Sequence, residues 1–429
     1  MMRLTQNSKK LMNFFLKKKC LKDNEPLTKN TQTILKRFYK EINQSNKNTE
    51  TLLMREGYRL SIERITTIAE IPRPKLFNAT AFPKEVRKHI DETMQMCFSY
   101  TFSLFNRELK VKFIVEESNG ELLIHVYNDY VKKVVVWFNF INKYAIEKQC
   151  SKSITVYIYL TSLKKELPES NIHILEENNV NTAFTYTCQI NSEIVVFRKE
   201  EWLKVLMHET MHNLALDFSD MNYKEVDSRI IQLFPVTTRG NSFEAYTEFW
   251  AEILNASFCS YYMIPSMKKN AENEFIKNFE FFLQFEKAFG IFQMVKTLNF
   301  MGLEYQDLYS DDIKSKIMRR TLYKEKSNIL SYYVIRVILL NNWQDFLKWC
   351  SIHNNSSSLI QFKKTSENMD AYFEFIRDNY NNAELLSDVK KTEKIMMNLK
   401  KTKKSKNGAN NKEIDFIENN MRMSITELG

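Results

Sequence analysis

The chain has 429 residues, of which 44% are hydrophobic and 13% aromatic; this can bury a substantial core in one large domain or two or three smaller ones, and it excludes a disordered chain. The net charge of +10 would suit an anionic partner, but the basic excess sits mainly at the two ends and reads as tails. Six widely spread cysteines without a C-x-x-C pair argue against a disulfide framework or a cysteine zinc site and point to a reducing compartment.

Glycine and proline are scarce, at 7 each, which favours a helix-dominated build. Met1 to Cys20 carries lysines throughout and lacks the apolar run of a secretory signal, so secretion is not expected. Residues 1–80 mix basic helical pieces, such as Ile34 to Ile42, with Asn- and Lys-rich connections, and read as an N-terminal extension ending at Ile71-Pro72-Arg73-Pro74. Helical spacing follows from Pro83 to about Phe105. Leu109 to Val115 and Glu121 to Tyr127 then read as strands joined at Asn119-Gly120, before a helix over Tyr130 to Glu147.

Ile154, Val156, Ile158 and Leu160 alternate with polar or aromatic residues and define a strand. Val180 to Cys188 and Glu193 to Phe197 form a second strand pair. Glu200 and Glu201 then supply the acidic first turn of a helix with apolar positions Trp202, Leu203, Val205, Leu206, Met207 and Leu214. From residue 200 to about 380 the chain reads as helical, with breaks at Pro235 to Gly240, Pro265, Gly302 and Asn354 to Ser358. The apolar stretches Phe279 to Val295 and Tyr332 to Leu340 contain Glu280, Glu286 and Arg336 and fall short of a membrane span, so a soluble protein is expected. Lys390 to Lys412 is basic, of low complexity and expected to be mobile, within a tail over 386–429.

The chemistry concentrates at His208-Glu209-Thr210-Met211-His212. Two histidines four apart share one helix face, so their ring nitrogens can converge on one zinc ion, while Glu209 can reach a water held there and act as general base. A third ligand is needed. Downstream, Glu244, Glu248 and Glu252 recur at i, i+4 and i+8 on one acidic stripe. With Asn241 as N-cap, Glu244 falls at the third helical position and has a structural use in a capping box, which leaves Glu248 as the best ligand candidate. Glu252, one turn on, suits the free ring N–H of a bound histidine. Ala215 and Phe218 stand where the H-E-x-x-H-x-x-G-x-x-H pattern requires glycine and histidine, which excludes a metzincin.

His208-Glu209-x-x-His212 followed by Glu248-Phe249-Trp250-Ala251-Glu252 resembles the gluzincin group of zinc metallopeptidases, in which an H-E-x-x-H helix is paired with a helix bearing E-x-x-A/S-D/E. The E-F-F-A-E form of lethal-factor-like toxins is particularly similar. The resemblance spans roughly 150–260 in layout. It implies an α+β, zincin-like domain over 81–385, with a small mixed sheet and the active-site helix in 81–220 and a mainly helical half in 221–385. It also implies one Zn²⁺ on His208, His212 and Glu248, Glu209 as base, Glu252 behind the ligands, and hydrolysis of a polypeptide substrate. The strand with Thr182, Ala183 and Phe184 would then be the edge that pairs with substrate, and an oxyanion donor is expected on the C-terminal side, for which Tyr332 and Tyr333 are candidates. His353 lies in an Asn/Ser-rich loop and reads as solvated. The Lys/Asn-rich composition resembles that of uncharacterised metallopeptidase-like proteins of large DNA viruses, with an intracellular, cytoplasmic or particle location. The competing readings are a non-proteolytic zinc-binding structural or assembly protein that keeps the fold, and nucleic-acid binding through Lys390 to Lys412, which is not favoured.

Overall fold

Alternating apolar residues build a six-stranded mixed sheet, described here from a computed structural model that covers residues 4–22, 25–55, 57–145, 150–265, 268–405 and 409–429; for 400–405 and 409–411 it describes the backbone alone. In chain order, α1 (Gln6–Lys17) and α2 (Lys29–Arg55) precede β1 (Arg59–Arg64), α3 (Lys84–Thr93), β2 (Met96–Leu104), β3 (Arg107–Val115), α4 (Ile124–Ile141) and β4 (Ser153–Tyr159). Then come α5 (Glu177–Val180), β5 (Ala183–Thr185), β6 (Asn191–Val196), α6 (Trp202–Asn213), α7 (Lys224–Leu233), α8 (Ser242–Tyr262) and α9 (Ala271–Met301). A π-helical turn at Leu330–Ile335 stands between α10 (Ile313–Leu322) and α11 (Arg336–Asn341). The chain continues through α12 (Trp343–His353), α13 (Ser366–Asn379), α14 (Ala383–Ser405) and α15 (Ala409–Asn419).

The strand order is β1-β2-β3-β4-β6-β5, with β3, β4 and β6 mutually parallel and the other neighbours antiparallel. Helix α4 supplies the crossover that a parallel β3–β4 pair needs. Ile154, Val156 and Ile158 of β4 face the main core, whereas Tyr157 and Tyr159 face a smaller core under Ile71, Phe82, Val86 and Ile90. This split follows from the two-residue period of a strand. On the main face, α6 and α8 are buried on nearly every side, including their charged residues Lys204, Glu209, Glu248 and Glu252. Among the described residues no helix is long and apolar enough to cross a membrane.

Several expectations from the sequence are corrected. Residues 1–80 are no appendage: Leu11, Phe15, Leu35, Phe38 and Ile42 are fully or almost fully buried, and Phe38 packs edge-on against Trp250 of α8. Glu121 to Tyr127 is a 3₁₀ turn running into α4, because Tyr127, Tyr130, Val131 and Val134 recur at helical spacing. The helical reading of Pro83 to Phe105 holds only for α3; Met96–Leu104 pairs with β3 through Phe105-Asn106, both at positive φ (53° and 59°), a tight turn made without glycine. The expected helix end at Glu147 lies outside the described residues.

The C-terminal region is ordered where it is described. Leu385, Val389, Met396 and Leu399 bury one face of α14 on the main core, and residues 421–428 are nearly all buried; Lys406 lies outside the described residues. Two cysteines, Cys150 and Cys188, are joined as a disulfide, a single bond not foreseen in the reading against a disulfide framework, while Cys20, Cys97, Cys259 and Cys350 are free.

Candidate metal centre

Helix α6 ends where its chemistry needs it to end. Ala215 takes a left-handed φ of 53° and the Leu216 N–H donates back to the Met211 carbonyl at 2.9 Å, closing the helix just after His212, at Asn213. The reversal brings Asp217 against the ring of His212, where its carboxylate accepts from Nδ1. Asp217 is itself held: Ser219 donates to Oδ1 through its N–H (3.1 Å) and hydroxyl (2.8 Å), and Thr247 donates to Oδ2 at 3.1 Å.

The start of α8 departs from the capping box. Asn241 has a left-handed φ of 53° and makes no side-chain cap. Asp227 instead accepts from the N–H groups of Asn241 (2.7 Å) and Ser242 (3.0 Å), which frees Glu244 from a capping role. Gly240 makes this approach possible: its φ is 85°, and a Cβ there would lie 2.6 Å from Asp227 Cγ. Gly240→Ala is therefore expected to destabilise the fold by about 1–3 kcal/mol, read as a lowered urea midpoint with unchanged slope.

Glu244, rather than Glu248, meets the two histidines. Its Oε2 lies 3.1 Å from His208 Nε2 and 3.2 Å from His212 Nε2, and the two Nε2 atoms are 2.9 Å apart. These three side chains are the group whose donor atoms could hold one metal ion among the described residues. Glu248 sits one turn further on, ion-paired with Lys204 and with Oε2 2.9 Å from His208 Nδ1, an approach bent away from a good hydrogen bond. Glu252, expected behind a histidine, is instead fully buried on Arg336, which also donates to the Met423 carbonyl at 2.9 Å. Asp217 thus backs His212 by a hydrogen bond, while Glu248 lies beside His208 Nδ1 as an ion-pair neighbour.

This donor set fits a metal ion. With each Nδ1 turned to a carboxylate, both Nε2 lone pairs face one another and an anionic oxygen inside a buried site. Such an arrangement is repulsive until a proton or a cation enters. Burial opposes charge on every member, but the opposite charges prevail: Glu244 is held well below the usual carboxylate range by the two imidazoles, and the carboxylates of Asp217 and Glu244 push His212 well above its ordinary value.

Glu209 is buried beside the cluster and makes no hydrogen bond among the described residues; burial raises its pKa, against the pull of both histidines. Tyr332 donates its hydroxyl to Glu244 Oε2 at 3.0 Å and lies edge-on to His208, while Asn328 donates to Glu244 Oε1 at 3.1 Å. Tyr333 points away, onto the Met421 carbonyl at 2.7 Å, and His353 stacks on Trp349 outside the site. The strand β5 is a sheet edge tied to α6 by Asn213, which donates to Thr185 at 2.9 Å; Phe184 enters the smaller core and Thr182 accepts from the Phe197 N–H. Sequence reasoning missed Asp217, Lys204 and Asn328. Only Asp217, five residues after His212, carried a local signal.

No family model matches the chain, and no solved structure matches it. It is similar to an uncharacterized protein of Acanthamoeba polyphaga mimivirus, 31% identical over 91 residues. That stretch is 21% of this chain and 23% of the viral protein, so the chain spans under a quarter of the relative's length.

Proposed function

We propose that the chain is a zinc-dependent peptidase of gluzincin type, with a zincin-like fold around His208, His212 and Glu244. The observation that carries this reading is the pairing of two Nε2 atoms with one glutamate oxygen, with a carboxylate beside each Nδ1, next to a buried glutamate that makes no hydrogen bond among the described residues. When bound, zinc would polarise a substrate carbonyl and acidify a water molecule. Glu209 would take the proton of the attacking water and return it to the departing amine; it makes no hydrogen bond among the described residues that would hold it back. Tyr332 offers a hydroxyl at the cluster that can turn from Glu244 to the oxygen on which charge develops. An extended peptide would lie along β5, the last strand of the sheet, adding a strand to it. Within the same reading the chain resides inside a cell or in a viral particle, which the likeness to a viral protein supports.

The test is metal removal. The purified chain is expected to hold one zinc ion and to cleave an unstructured protein such as casein. A chelator should abolish cleavage, and added zinc should restore it. A fully loaded chain that hydrolyses no peptide, or a folded chain that retains no metal, would overturn the proposal.

A further inference from the structure

The end of α6 is clamped from outside by a disulfide. Cys188, exposed just beyond β5, is bonded to Cys150, buried just ahead of β4. The N–H of Cys188 donates to the Asn213 carbonyl at 3.1 Å, and that of Ser151 to the Gln189 carbonyl at 2.8 Å. Asn213 is the neighbour of His212. Its side-chain oxygen accepts from the hydroxyls of Ser151 (2.7 Å) and Ser192 (3.1 Å), and its amide donates to Thr185 of the edge strand. A second line runs through Thr187, whose hydroxyl meets Ser219 Oγ at 3.2 Å; Ser219 holds Asp217, and Asp217 holds His212. Non-glycine residues at left-handed φ crowd the same spot: Ser151 (56°), Cys188 (55°) and Ala215 (53°). Such conformations persist only where their surroundings over-determine them.

We infer that the Cys150–Cys188 disulfide is a redox switch on this site, which is complete when the bond is closed and loosened when it is open. The switch acts on the proposed peptidase and so rests on that reading. The co-reactant is a dithiol reductant. Its thiolate attacks the sulfur of exposed Cys188, Cys150 leaves as a thiolate and is protonated, and the second thiol of the reductant resolves the mixed disulfide. The chain gains two electrons and two protons, and the reductant departs as its own disulfide. Opening the bond frees the Cys188 turn from Ser151, and with it the tethers of Thr185 and Thr187. The edge strand and the carboxylate behind His212 therefore loosen together. Reducing compartments keep such bonds open, so the site is completed where the chain meets oxidising surroundings.

The test uses the full chain, oxidised or treated with a phosphine, which is converted to its oxide as the disulfide becomes two thiols. Alkylation in denaturant should count four thiols before treatment and six after. In the zinc-free chain, reduction should speed hydrogen exchange by at least about 10-fold over residues 182–188 and 213–219, with β2 and β3 unchanged. In the zinc-loaded chain it should cut cleavage by a similar factor, reversibly on reoxidation. The Cys150→Ser, Cys188→Ser double variant should behave as the reduced chain and ignore the phosphine; if it does not fold, the wild-type comparison decides alone. Equal exchange and cleavage in both redox states overturns the switch, and a uniform rise in exchange over the whole chain reduces the bond to a structural staple. Failure of the oxidised chain to bind zinc or cleave overturns the peptidase reading instead, while exchange in the zinc-free chain still judges the switch.

Discussion

Glu244→Gln is expected to lower zinc affinity by more than about 100-fold while leaving the chain folded; replacing a backing carboxylate, which touches the ion only through a histidine, costs about 10–100-fold. Glutamine keeps the volume and can still meet Tyr332 and Asn328, so the loss falls on the anionic oxygen between the two Nε2 atoms. Glu248→Gln should behave in the opposite manner. It leaves the buried Lys204 ammonium without its carboxylate, which costs about 3–5 kcal/mol of stability, and weakens zinc only through the ring of His208. Isothermal titration with zinc and urea unfolding of the two variants separate the effects. A folded Glu248→Gln chain without zinc, beside a Glu244→Gln chain that keeps it, would return the ligand role to Glu248.

That choice was not legible in the sequence, and the reason is geometric. Glu244, Glu248 and Glu252 lie on one face of α8, and spacing alone does not say which of them α6 meets where the helices cross. What decides it comes from elsewhere in the chain: Lys204 engages the second glutamate, Arg336 the third, and Asp227 takes over the capping that would have occupied the first. His208, Glu209 and His212 were legible because their spacing is local to one helix. The strands β3, β4 and β6 were legible because alternation against a core leaves a two-residue signal. Helices α1 and α2 carry as many lysines and asparagines as a solvated tail, and only the packing of Phe15 and Phe38 reveals them as part of the core. The register of α8 also explains how an acidic stripe is tolerated in the interior. The first carboxylate is met by two imidazoles, the second by an ammonium and an imidazole, and the third by a guanidinium.

Glu209→Gln is expected to retain zinc and lose about 10²–10⁴-fold in kcat, the range spanned by a positioned general base. The carboxylate is not among the three donors that converge, so its removal should leave metal content unchanged. It makes no structural bond among the described residues, so the fold should tolerate the amide. The pH profile sharpens the test. A base works only when ionised, and burial raises this carboxyl above its ordinary value, so wild-type kcat/KM should climb with pH through an acid limb displaced upward, an effect that the histidines, and a bound cation still more, oppose. The glutamine variant has no such group, and its residual activity should lose that limb. A variant that cleaves at the wild-type rate with the same acid limb would remove Glu209 from the chemistry and leave the cluster as a metal site without a base.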